Sequence, residues 1–192
     1  IRELHIGLLN LMPDSALSVT EQQFIRLVGS CNQIAQLFVH PFSVSGLPRS
    51  RDAQEYIDKY YMDFDQVRQE GLDALIITGA NVESPVLDEQ RFWEPLNDVF
   101  NWALDNVTSV LCSCLATHAL IKQLYDIDRK RLKRKLWGVY DHYVVQTQHP
   151  MLRDINTRFD VPHSRYNDVS RKQLETIGIN VLVESTDGDV HM

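Results

Sequence analysis

Four short apolar runs, each followed by a helical pattern or leading straight into one, constrain this chain more than any other feature. Leu4 to Leu11 (LHIGLLNL), Ile34 to His40 (IAQLFVH), Ala74 to Thr78 (ALIIT) and Ser109 to Cys112 (SVLC) read as strands too apolar to keep one face in water. Between them, Thr20 with Gln23 predicts a capping-box start for a helix whose apolar residues Phe24, Ile25, Leu27 and Val28 end at Gly29. Pro41 predicts the end of the second strand, Gly46 to Asp52 a polar loop, and Tyr60 to Gln69 a helical stretch. Phe92 to Leu104 carries Trp93, Leu96, Phe100 and Leu104 at helical spacing, and Leu115 to Tyr125 predicts a helix fed directly by the fourth strand. Apolar strands alternating with helices imply an α/β fold: a mainly parallel sheet with helices on both faces. Ligands in such sheets sit at the carboxyl ends of the strands, where Gly79 and Cys114 fall.

After Arg134 the pattern changes. Trp137 to Gln146 alternates as a strand, Pro162 to Asn167 predicts a loop, Arg171 to Thr176 a short helix and Ile179 to Glu184 a further strand. No repeat or linker interrupts the chain, so one compact domain is expected over residues 1–192, long enough to bury a substantial core. The chain starts inside its first strand and stops where a hairpin is beginning, at Asp187 to Met192, so N- and C-terminal parts are expected to be lacking.

Charge narrows the function classes. A formal net charge of −7 repels polyanions on average, which argues against a nucleic-acid partner. No apolar stretch approaches a membrane span and the first residues lack a signal-peptide layout, so no membrane partner and a cytoplasmic location are expected. Cys31, Cys112 and Cys114 form no disulfide framework, which leaves burial or thiol chemistry to explain them.

Cys114, in VLCSCLATHAL, falls at a strand-to-helix junction. A thiol on such a turn is exposed and meets the positive end of the helix, which favours the attacking thiolate. The Leu115 amide is then placed to donate to an oxyanion, as in a nucleophile elbow, and Gly79 with Ala80 allows close backbone approach. Cys112, one step inside the strand, and Cys31 read as structural.

Five ordered segments, GLLNLMPD (7–14), EQQFIRLVG (21–29), LIITGANVE (75–83), KLWGVYDH (135–142) and PHSRY (162–166), resemble the motifs of the homoserine O-acyltransferase family. The resemblance implies a class-I glutamine-amidotransferase-like (flavodoxin-like) fold. It also implies a cysteine-nucleophile enzyme of methionine biosynthesis that moves an acyl group from acyl-CoA to the hydroxyl of L-homoserine. Cys114 matches the family's nucleophile, and Lys135 and Ser164 match its residues for gripping the amino acid. No permanently bound cofactor and no metal are implied, with acetyl-CoA or succinyl-CoA as co-substrate, and a homodimer is suggested. Glu83 falls at the position tied to acyl choice, where a carboxylate fills space and repels a succinyl carboxylate, so acetyl is favoured.

Two features depart from the family pattern. The GHPEY-like motif that carries its general-base histidine is not among these residues, and His118 stands where the family has a glutamine. His118 reads as a pocket or packing residue, and His163 and Arg165 as loop architecture. Lys135 lies in a basic run, RKRLKRK, of the kind that is usually a solvated face. The alternatives are O-acetylation of L-serine, which differs by one methylene, a cysteine hydrolase of the amidotransferase type, and a binding or regulatory relative without the base.

Overall fold

A computed structural model describes residues 3–32, 34–82, 84, 86–187 and 190–192, which gather into two compact units, 1–120 and 121–192. Unit 1 contains β1 (Glu3–Leu9), α1 (Asp14–Cys31), β2 (Gln36–Phe42), α2 (Arg51–Tyr60), α3 (Phe64–Glu70), β3 (Ala74–Ile77), α4 (Trp93–Asn106) and β4 (Ser109–Cys112). Its strands pair in parallel in the order β2-β1-β3-β4. Parallel neighbours need crossover connections, and the helices supply them. The expected α/β class is therefore present: a parallel sheet flanked by helices. Leu9, Phe42, Leu75 and Ile77 from the strands pack against Leu96, Val99, Phe100, Ala116 and Ala119 from the helices.

Several boundaries differ from expectation for local reasons. Helix α1 begins at Asp14 and runs through Thr20, because the Asp14 carboxylate accepts the Ser50 amide at 2.7 Å and Arg49 Nη1 at 3.2 Å, holding the first turn. Strand β2 runs through Pro41 to Phe42. It is an edge strand, where a missing N–H costs little, and the Pro41 carbonyl still accepts the Met62 amide at 2.9 Å. Helix begins earlier than expected, with α2 from Arg51 to Tyr60, and the stretch expected over 60–69 holds α3, opened by a capping box between Asp63 and Gln66. Strand β4 has a solvent face after all: at the sheet edge, Val110 is 37% and Leu111 46% exposed.

Helix α5 (Leu115–Tyr125) leads into unit 2, which holds β5 (Lys130–Val144), β6 (Arg158–Asp168), α6 (Arg171–Thr176) and β7 (Val183–Ser185). These strands form an antiparallel sheet in the order β6-β5-β7. The stretch 162–167, expected as a loop, is strand: Pro162 lies opposite Val139 and Ser164 opposite Trp137. Proline is again tolerated because β6 is an edge strand. Strand β5 starts earlier than its apolar alternation suggested and takes in the basic run from Lys130 to Lys135. Small apolar clusters, Ile121 with Val169, Leu174 and Val181, and Leu152 with Leu182 and Val183, close this unit. Among the described residues, no helix is long and apolar enough to cross a membrane.

Candidate active site

The carboxyl ends of β1 and β3 are fixed by buried polar side chains. Thr78 Oγ1 accepts the Leu11 amide at 2.8 Å, and Asn10 Nδ2 donates to the Leu17 carbonyl at 2.9 Å and to the Tyr61 hydroxyl at 3.0 Å. The Tyr61 hydroxyl in turn donates to Glu21 at 2.9 Å. Burial, with the Glu21 carboxylate beside it, pushes the Tyr61 phenol above its ordinary range, so it stays a donor. Satisfied buried groups of this kind hold a backbone to one path. Gly79 follows directly.

On the neighbouring strand, β4 ends at Cys112 and the Ser113 amide still donates to the Ile77 carbonyl at 2.9 Å. Cys114 then adopts φ 56°, a left-handed conformation uncommon outside glycine, and α5 begins at the next residue. The first turn is tied back to the strand: the Thr117 hydroxyl donates to the Cys112 carbonyl at 2.9 Å, and the Thr117 amide to the Cys114 carbonyl at 3.2 Å. These bonds hold the turn that presents an exposed Cys114. A Cβ added at Gly79 would lie 3.0 Å from Cys114 Cβ, 3.3 Å from its Sγ and 3.6 Å from the Leu115 nitrogen. The absence of a side chain at 79 is thus what lets the β3 backbone approach the thiol. Leu115 opens the helix, where first-turn amides lack carbonyl partners within the helix. An exposed thiol and a helix-opening backbone amide therefore sit side by side.

The other cysteines differ. Burial pushes the Cys112 thiol up to about 12, the behaviour of an inert packed sulfur. Cys31 is exposed and its thiol donates to the Leu27 carbonyl at 3.2 Å. His118, one turn into α5, is half-buried. Glu83 lies outside the described residues. A cleft of unit 1, about 790 Å³ and lined by Gly46, Arg49, Tyr61 and Asp98 among others, does not include Cys114.

In unit 2, Lys135 and Ser164 lie on one face of the β5–β6 pair. The Lys135 ammonium stands 4.1 Å from the Trp137 ring centroid and 5.6 Å from that of Tyr166, and Ser164 is paired with Trp137. Lys135 also lines a cleft of about 500 Å³ with Lys133, Arg134, Trp137, Tyr140 and Asp187. Lys135 is thus half-buried over aromatic rings, whereas Lys133 and Arg134 in the same run are exposed. His163 and Arg165, expected as loop architecture, are instead strand residues of β6, and the buried His163 meets His142 at 3.0 Å. Sequence reading missed that pairing, because the two residues come from different strands and no spacing along the chain marks it.

Comparison with known proteins places this geometry in a context. A family model described as homoserine O-succinyltransferase matches residues 1–192. Proteins named homoserine O-succinyltransferase from Methylococcus capsulatus and Methylobacter tundripaludum are each 58% identical over all 192 residues, and one from Nitrosococcus oceani 57%. In each case the match covers 100% of this chain and 54% of the relative, so the chain spans about half the length of the curated relatives it matches. A solved structure of a GMP synthase component from Thermoplasma acidophilum superposes with a TM-score of 0.60 at 14% identity, covering 98% of this chain and 76% of that one. At that identity it speaks for the fold alone, which is of the glutamine-amidotransferase kind.

Proposed function

This chain belongs to the homoserine O-succinyltransferase family, and from that premise we propose that the protein carrying it transfers a succinyl group from succinyl-CoA to the hydroxyl of L-homoserine through Cys114. The observation that supports the reading most is the exposed, positive-φ Cys114 with the Gly79 backbone held against its sulfur.

The chemistry runs in two halves. The Cys114 sulfur attacks the thioester carbonyl carbon, forming a new C–S bond while the carbonyl electrons move onto oxygen, where the Leu115 amide donates. Collapse breaks the bond to CoA, whose thiolate leaves and takes up a proton, and the acyl group stays on Cys114. The homoserine hydroxyl then attacks that thioester and loses its proton to a base. The C–O bond forms, the C–S bond to Cys114 breaks, and the sulfur is regenerated. Two acyl transfers on one sulfur predict ping-pong kinetics. Lys135 is assigned to the substrate carboxylate and Ser164 to a polar group of the amino acid, an assignment carried over from the family motifs KLWGVYDH and PHSRY. A place in methionine biosynthesis, in the cytoplasm and as a homodimer, belongs to the same reading.

Succinyl replaces the acetyl group expected from Glu83, since the relatives compared bear the succinyl name. The acetyl expectation rested on repulsion between two carboxylates. That repulsion decides specificity only where the charges come close without water or a cation between them.

The test is covalent labelling. The protein carrying this chain, mixed with succinyl-CoA and no acceptor, should gain one succinyl group, mapped to the peptide holding Cys114 and removed by L-homoserine. Acetyl-CoA in a parallel reaction should label more slowly. Labelling at Cys112, or none with either donor, would overturn the assignment.

A further inference from the structure

Three histidines of unit 2 converge although they lie far apart in sequence. His142 sits on β5, His163 on β6, and His191 follows β7, and one nitrogen from each lies within 4.8 Å of the others. His142 and His163 are buried, and their Nε2 atoms stand 3.0 Å apart. The His191 ring packs edge-on against both, with centroids 5.2 Å and 5.8 Å away. Its backbone is pinned as well, because the His191 amide donates to the Val183 carbonyl at 3.0 Å.

The hydrogen bonds fix where the protons are. A carbonyl only accepts, so the 2.8 Å contact of His142 Nδ1 with the Tyr140 carbonyl puts the proton on Nδ1 and leaves the Nε2 lone pair pointing into the cluster. A guanidinium only donates, so Arg165 Nη1, 3.1 Å from His163 Nδ1, leaves that nitrogen bare and puts the proton of His163 on Nε2. A single proton therefore bridges the two Nε2 atoms. A backbone carbonyl holding the far side of a ring is the orienting contact that metal-bound histidines show.

We propose that His142, His163 and His191 bind a divalent transition-metal ion of the imidazole-preferring kind, such as Zn2+ or Co2+. The ion takes the place of the bridging proton. Zinc–nitrogen bonds of roughly 2.0–2.1 Å at tetrahedral angles set ligand nitrogens about 3.3 Å apart, close to the separation His142 and His163 already have. The proton on His163 Nε2 moves to Nδ1, and Arg165 gives up that contact. Arg165 is not left as an uncompensated charge, since its Nη2 lies 3.5 Å from Asp168. His191 supplies the third nitrogen from the exposed side, leaving a fourth position for water. With no oxygen ligand among the three, Mg2+ and Ca2+ are disfavoured. The bound ion joins two strands and the segment after β7, so it should stabilise the fold by linkage.

Titration of the untagged protein with Co2+ should give one equivalent of binding with visible absorption, reversed by Zn2+, and Zn2+ should raise the melting temperature. His191→Ala, at an exposed position, should weaken binding by at least about tenfold, the loss that changes even behind the ligands produce, and abolish the thermal shift. Histidine ring NMR supplies a second readout that needs no variant, with the His142 and His163 signals moving on addition of Zn2+. Binding unchanged in His191→Ala, shifts confined to the stacked pair His5 on β1 and His40 on β2, or no Co2+ absorption at one equivalent would each overturn the site.

Discussion

In unit 1 the thiol proposed to react is placed by backbone. Cys114 sits at a left-handed φ between β4 and α5, and the missing side chain of Gly79 lets the β3 backbone approach its sulfur, while the apolar core below holds both strands still. In unit 2 the polar groups are placed by one another: Lys135 by two aromatic rings, and His142 by a carbonyl and the bridging His163. A site held by backbone tolerates changes around it but not at its few constrained positions. A site held by side chains spreads its dependence over many partners, each contributing less.

The largest expected effect tests the first half of that contrast. Cys114→Ser should lower acyl transfer by at least about a thousandfold with the fold unchanged, the scale seen when a covalent nucleophile is lost. Cys112→Ala, two residues earlier, should leave transfer within a few-fold. Equal losses at both positions, read from single-turnover rates with circular dichroism as the fold control, would break the distinction between an aimed sulfur and a packed one.

Two large aromatic residues then compare the units as structures. Phe100, 1% exposed in the core of unit 1, should cost about 3–5 kcal/mol on substitution by Ala. Trp137, 70% exposed on β5, should change stability by only about 0.5 kcal/mol. Its loss would instead remove the ring beneath the Lys135 ammonium. Urea unfolding of each variant checks both figures.

Gly79→Ala probes the elbow more finely. The new Cβ would press on Cys114 Cβ at 3.0 Å and Sγ at 3.3 Å, tighter than ordinary contact, so the sulfur must shift by a few tenths of an ångström. Displacing a reacting atom on that scale is expected to slow acylation by roughly tenfold to a hundredfold. An Ala variant with the parent acylation rate would show that the β3 backbone does not constrain the nucleophile.

Legibility followed the same division. Strand β4 and helix α5 could be read to the residue, because a short apolar run that turns directly into a helical pattern has few ways to fold, and the position of Cys114 came with them. The prolines misled: Pro41 and Pro162 stop a central strand but not an edge strand, and edge position is set by pairing order rather than by local composition. The start of α1 was missed because the residues that hold it, Arg49 and Ser50, lie on a distant loop. The histidine cluster left no trace in the sequence for the same reason, since its members share no strand and no period.

The smallest expected effect follows from that missed helix start. The Ser50 amide, and secondarily the Ser50 hydroxyl and Arg49, hold the Asp14 carboxyl below its ordinary value. The unfolded chain then takes up a proton here at a higher pH than the folded one does. Above the ordinary aspartate range both states are ionised and the contribution is complete. As pH falls through that range and on through the lowered folded value, the contribution disappears. Asp14→Asn should therefore be slightly less stable than the parent at neutral pH, and the gap should close on acidification. Arg49 makes a second contact, at 2.5 Å to the Met12 carbonyl, that does not depend on the carboxylate, so the loss at neutral pH should stay small. A gap that holds constant from neutral to acid pH in urea titrations would mean that the bonds to Ser50 and Arg49 do not set the start of α1, and that the packing of Leu17 and Val28 sets it instead.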